Sequence, residues 1–154
     1  MRWQQGRDAV SGMIERGELD RVPASRTHAE LLLDQANGHL LSARAIAGSD
    51  ATGAYQLLYD AARKALAAVL ENQGLRATSR GGHIAVLDAV SAQLDPPPGR
   101  VLRPFDRLRR RRNQAEYPAE DRPDFSAEDV DRDLPKVRAI VATAAKVLDQ
   151  MSPF

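Results

Sequence analysis

Residues 109–117 read Arg-Arg-Arg-Arg-Asn-Gln-Ala-Glu-Tyr, which puts four guanidinium groups directly before a polar turn. Arginine suits phosphate, because its planar fork donates two parallel hydrogen bonds to an anion. On a helix, consecutive residues are separated by about 100°, so four adjacent arginines cannot all meet one ligand. At least one must turn inward, and a buried guanidinium is costly unless a carboxylate pairs it or a functional pocket surrounds it. The plainer reading is a solvated helix surface neutralised by its neighbours. Seven arginines fall between positions 100 and 112, opposed there only by Asp106. Eight carboxylates fall between positions 116 and 133. The net charge is only +1, but the two blocks do not cancel in the local field.

Two other residues have types that carry chemistry. His83 follows Gly81-Gly82 and opens a predicted helix, where backbone can approach a ligand closely. A capping or packing histidine fits the same pattern. Asp60 lies mid-helix among apolar residues; it can pair with Lys64 at i+4, or reach Arg112 across a bundle. His28 and His39 stand eleven positions apart, about three helical turns, too far to share a metal. Tyr55, Tyr59 and Trp3 read as core residues. There is no cysteine, which excludes disulfides, thiolate metal sites and a cysteine nucleophile. Phosphate-binding glycine loops, dinucleotide fingerprints and serine-nucleophile elbows are missing from the sequence, so no cofactor is expected.

The elements that position these residues are helices. A short one is predicted over Trp3 to Glu18. A second starts after Ser25 or Thr27 and runs to about Ile46, with Leu31, Leu32, Ala36, Leu40 and Ala43 inward. A third extends from Ala51 to Gln73, capped by Asp50 and stopped by Gly74, on a stripe running from Tyr55 to Leu70. His83 to Leu94 forms the fourth, and Pro96-Pro97-Pro98-Gly99 breaks the chain after it. The arginine-rich helix covers about Arg100 to Glu116, limited by Pro118. A polar linker, Pro118 to Pro123, leads to a last helix opened by the Ser126/Asp129 pair and ending near Met151, with a kink or a later start predicted at Pro135. No segment alternates convincingly as a strand. The expected fold is all-α: an up-and-down bundle of four to five helices over residues 27–154, with a short N-terminal helical extension over residues 1–26. No stretch reaches the ~18 apolar residues of a membrane span, and no signal peptide is evident, so a cytoplasmic location is expected.

Arg112-Asn113 followed by Tyr117 at a helix end resembles the signature of the HEPN superfamily, an arginine and a polar residue followed a few positions later by histidine. Residues 54–66, from Ala54 to Leu66, are similar to that family's small-residue-rich second bundle helix. Gly74-Leu75-Arg76 with Gly82-His83 is similar to the loop after it. The resemblance covers about residues 27 to 150. It implies a bacterial helical bundle that forms a homodimer, with partner roles beside a nucleotidyltransferase or RNA cleavage without metal, in toxin–antitoxin or defence-type systems. Its implied site residues are Arg112 and Tyr117 as the catalytic pair, and Arg109, Arg112, Asn113 and His83 for nucleic-acid or nucleotide binding, with Asp60 in support. Tyr117 departs from the pattern, because ribonuclease members carry histidine there. Histidine titrates near 6.5 and tyrosine near 10, so the exchange removes a base suited to neutral pH. A tyrosine near this motif is also a position that a partner nucleotidyltransferase can modify. Three functions follow: a nucleotidyltransferase partner that binds RNA or nucleotide, a ribonuclease using Arg112 with Tyr117 or His83, and a helical adaptor without nucleic-acid function.

Overall fold

The computed structural model describes residues 3–94, 99–120 and 124–154. Its elements follow in the order α1 (Arg7–Glu15), β1 (Leu19–Arg21), α2 (Arg26–Ile46), α3 (Ala51–Gln73), β2 (Leu75–Ala77), α4 (Gly82–Leu94), a 3-10 turn (Gly99–Leu102), α5 (Pro104–Glu116) and α6 (Ala127–Leu148). The result is an all-α helical bundle carrying one two-stranded sheet. Among the described residues no helix is long and apolar enough to cross a membrane.

Local chemistry sets the boundaries of the long helices. The Ser25 hydroxyl accepts from the His28 amide at 3.1 Å, and the Asp50 carboxylate accepts from the Gly53 amide at 2.9 Å. Ser126 and Asp129 close a reciprocal capping box at the head of α6. Gly74 ends α3 at φ +82°, where its amide returns to the Glu71 carbonyl. A Cβ there would lie 2.7 Å from the Val22 carbonyl oxygen, so the left-handed turn and the close approach both require glycine.

Helix α3 is the centre of the bundle. It packs on α2, α4, α5 and α6. Ala54, Ala61, Ala62, Ala65 and Ala68 are fully buried, and their small side chains let the flanking helices approach closely, while Tyr55, Leu58, Tyr59 and Leu66 fill the remaining space. The predicted stripes of α3 and α6 are buried throughout.

Five features differ from the sequence expectation. Strands β1 and β2 pair antiparallel, Leu19 opposite Ala77 and Arg21 opposite Leu75; at three residues each they are too short to display alternation. Helix α1 is shorter than expected, because Gly6 (φ +73°) and Gly17 (φ +75°) bracket it with turns. The segment from Gly99 to Leu102 is a 3-10 turn, and α5 starts only at Pro104, whose missing amide and fixed φ suit a first helical turn. On α2, Leu31 is 52% exposed; the inward stripe is Ala29, Leu33, Ala36, Leu40 and Ala43. Helix α6 starts at Ala127 and continues through Pro135 to Leu148. The Pro96–Pro98 break and residues 121–123 of the linker lie outside the described residues.

The N-terminal segment packs into the same core. Val10 and Met13 are buried, α1 lies on α4, and β1 pairs with the strand that follows α3. Trp3 donates through Nε1 to the Gln93 carbonyl at 3.1 Å.

Candidate functional site

The arginine helix distributes its charges in three directions. Arg107 and Arg111 face α6. Arg107 donates to Asp133 at 2.6 Å, and that carboxylate is fully enclosed. Arg111 lies over the Phe125 ring, 4.4 Å from its centroid, and pairs with Asp129 at 3.4 Å. Arg109 and Arg110 both pair with Asp106 on their own helix, at 2.9 and 3.2 Å. Arg112 turns toward α3, with its guanidinium 5.7 Å from the centroid of the Tyr59 ring. The basic and acidic blocks of the sequence therefore meet inside one chain.

Asp133 explains the inward guanidinium. The Tyr55 hydroxyl donates to it at 2.7 Å, Arg107 at 2.6 Å and Lys136 at 3.3 Å. Burial opposes its ionisation, but these donors outweigh burial and hold the carboxyl below the ordinary aspartate range. The position of Asp133 on α6 gives the sequence reader a carboxylate, but nothing in the periodicity assigns it to Arg107.

Arg112 belongs to a cleft of ≈ 210 Å³. Helix α3 supplies Tyr59, Asp60 and, one turn on, Arg63; α4 supplies His83 from its first turn, and α5 supplies Arg112. Tyr59 forms the floor: it is 1% exposed, and its hydroxyl shares a hydrogen bond with His83 Nδ1 at 2.5 Å. Arg63 donates to Asp60 at 2.7 Å. Asp60 also meets His39 at 3.2 Å and Lys64 at 3.4 Å, so of its two expected partners it takes Lys64. Arg112 pairs instead with Glu116, one turn along its own helix.

The field of this cleft is positive. His83 titrates below its ordinary value, first because burial disfavours the imidazolium and then because Arg63 and Arg112 repel a further positive charge. Arg109 adds to that repulsion without lining the cleft. Burial pushes the Tyr59 hydroxyl up to about 12, against the pull of the same arginines, so it keeps its proton. Asp60 stays ionised: burial works against its charge, but Arg63 and Lys64 prevail. His83 itself stands in the first turn of α4, whose Gly82 amide is already taken by the Thr78 carbonyl at 2.8 Å.

No family model, curated protein or solved structure matches this chain.

Of the residues singled out in the sequence, Arg112, His83 and Asp60 share this cleft. Tyr117 does not line it. It caps α5 with its side chain 70% exposed. Five helical positions separate it from Arg112, a turn of about 140°, which points the two side chains to different sides. Asn113 is exposed; its side-chain oxygen accepts from Arg112 at 3.5 Å, and its carbonyl accepts the Tyr117 amide. Arg63 and Tyr59 complete the lining of the cleft, and the sequence argument did not single out Arg63 as part of it. The available signal was its spacing: Arg63 lies one turn beyond Tyr59 and three residues beyond Asp60. Among the described residues no three His, Asp or Glu side chains converge to hold a metal.

Magnitudes decide which arginines can engage a ligand. An exposed i,i+4 pair such as Arg112–Glu116 contributes only about 0.3–0.5 kcal/mol. A hydrogen bond from arginine to a charged acceptor contributes about 1.5–3 kcal/mol. A phosphate offers Arg112 more acceptor oxygens and more charge than the Glu116 carboxylate on its own helix, so it can compete for that guanidinium. Drawing Arg107 away would take the shortest charged contact from the enclosed Asp133, so Arg107 stays where it is.

Proposed function

We propose that this chain is a HEPN-like helical domain that binds the phosphodiester backbone of RNA in the Arg63–His83–Arg112 cleft. In this reading it serves as the partner of a nucleotidyltransferase in a bacterial toxin–antitoxin or defence-type system. The observation that carries the phosphate assignment is the convergence of Arg63, His83 and Arg112 above Tyr59, two guanidiniums against the single lining carboxylate of Asp60. The partner assignment and a homodimer rest on the family resemblance of the Arg112-Asn113 motif. Exposed Tyr117 is accessible to modification by such a partner. Fluorescence anisotropy with a labelled single-stranded RNA tests the binding. Arg112→Ala should weaken it and lower the salt slope by about one unit, while Arg109→Ala should do much less. If both variants bind like wild type, the arginines serve only ion pairs and the chain is a helical adaptor.

The position of His83 favours a second reading, metal-independent cleavage. In the tautomer whose Nδ1–H donates to the Tyr59 oxygen, Nε2 is a free base, kept neutral by its surroundings. It would take the proton of a 2′-hydroxyl as that oxygen attacks phosphorus. The 5′-oxygen would leave and take a proton from water, and the arginines would stabilise the charge on the non-bridging oxygens. Cleavage that survives chelator and disappears in His83→Gln, but not in Tyr117→Phe, is the expected signature.

A further inference from the structure

We infer that the phosphate cleft is one end of a two-compartment groove that seats a single nucleotide unit, with the nucleobase in the apolar compartment between α2, α3 and α4. This inference rests on the phosphate assignment above. A second cavity of ≈ 440 Å³ lies directly beside the first, and Arg63 and His83 line both. Its size falls in the range of small-molecule sites, and it has the composition of one: mostly apolar walls with a few convergent polar groups. Leu32 comes from α2, Ala67 and Leu70 from α3, and Val86 from α4.

Charge is segregated along the groove, and that orients the ligand. At the far end stands Glu71, whose side chain is 7% exposed. Arg76 holds it at 2.7 Å and His28 Nδ1 approaches at 3.3 Å. The guanidinium of Arg76 is thus engaged, and a phosphate placed here would meet a carboxylate. At the near end Arg63 and Arg112 attract phosphate. A carboxylate offers about four lone-pair positions. Arg76 also donates to the second Glu71 oxygen at 3.3 Å, so with His28 three positions are taken and one remains. That position can accept from the ring N–H or the amino group of a base, and guanine presents both donors on one edge. The Thr78 hydroxyl is directed elsewhere, donating to the Gly17 carbonyl at 2.6 Å. The apolar walls take the faces of the base, and Arg63 and His83 mark the junction between base and phosphate.

The test compares two probes, guanosine 5′-monophosphate and inorganic phosphate, by titration calorimetry on the full chain. Two variants block only the apolar compartment: Ala67→Phe from α3 and Leu32→Trp from α2, neither of which lines the phosphate cleft. Wild type should bind the nucleotide at least about tenfold more tightly than phosphate. Each folded blocking variant, verified by its thermal melt, should lose that gain and keep wild-type affinity for phosphate. Equal affinity of wild type for the two probes overturns the inference and leaves the phosphate site standing. Undiminished nucleotide affinity in a blocking variant does the same. Failure of wild type to bind phosphate, nucleotide or RNA overturns both the inference and the phosphate assignment beneath it.

Discussion

Replacing Asp133 with alanine should destabilise the fold far more than replacing Arg112, although each residue pairs with an arginine helix group or belongs to it. Asp133 is fully enclosed and accepts from Tyr55, Arg107 and Lys136. Its removal leaves the Tyr55 hydroxyl without a partner in a site that is 0% exposed, a cost of about 1–3 kcal/mol. The charge-assisted bonds from Arg107 and Lys136 are also lost. Both of those side chains are 40% exposed, so water recovers much of that energy, and about 1 kcal/mol remains. The total is about 2–4 kcal/mol. At about 2–4 °C per kcal/mol for a chain of this size, the thermal midpoint should fall by roughly 4–16 °C. Arg112→Ala removes a partly exposed i,i+4 pair and a contact with the Tyr59 ring, together about 1 kcal/mol, and should shift it by no more than about 4 °C. Melts followed by far-ultraviolet circular dichroism measure both. Tyr55→Phe should lie between them, and its effect should be non-additive with Asp133→Ala, since the two share one hydrogen bond. An Asp133→Ala midpoint within about 2 °C of wild type, half the smallest fall expected, would refute the claim that this carboxylate holds α3, α5 and α6 in register.

Gly74→Ala must force a side chain into φ +82° and against the Val22 carbonyl, so it should cost at least about 2 kcal/mol in a denaturant titration. RNA affinity should rise only on acidification to below the ordinary histidine range, because burial and the neighbouring arginines delay the positive charge that His83 gains when protonated; in His83→Gln that rise should vanish from anisotropy titrations. His39 is also held below its ordinary value, first by burial and then by Lys64, so it binds protons more readily unfolded than folded. Its contribution to stability is therefore present above about pH 6.5 and is lost on acidification, and His39→Gln should flatten the acid limb of the stability profile.

Much of the bundle was legible in the sequence because its boundary signals are local. Asp50, Gly74, Ser25 and Ser126 each act within one turn of the residues they cap, and each sits where the helices start or stop. The sheet was not legible, because its two strands meet across 56 residues and present only three residues each. Leu31 was misplaced for a related reason: on α2 alanines carry the inward stripe, so the larger leucines mislead a reader who weighs size. The site was legible in part. The arginine run announced that some guanidinium must turn inward, but which one depends on Asp133, Phe125 and Tyr59, which come from other helices. Tyr117 illustrates the opposite limit: the motif spacing set it beside Arg112, whereas the helical rotation between them carries it out of the cleft to the surface.

The most direct test of the phosphate assignment is RNA affinity measured across a salt series for wild type, Arg63→Ala, Arg112→Ala and Arg109→Ala. Arg63 and Arg112 line the cleft, while Arg109 pairs with Asp106 beside it. The account predicts that Arg63→Ala and Arg112→Ala each reduce affinity and each lower the slope of log K against log salt by about one unit, with Arg109→Ala close to wild type. Equal slopes in all four proteins would contradict it.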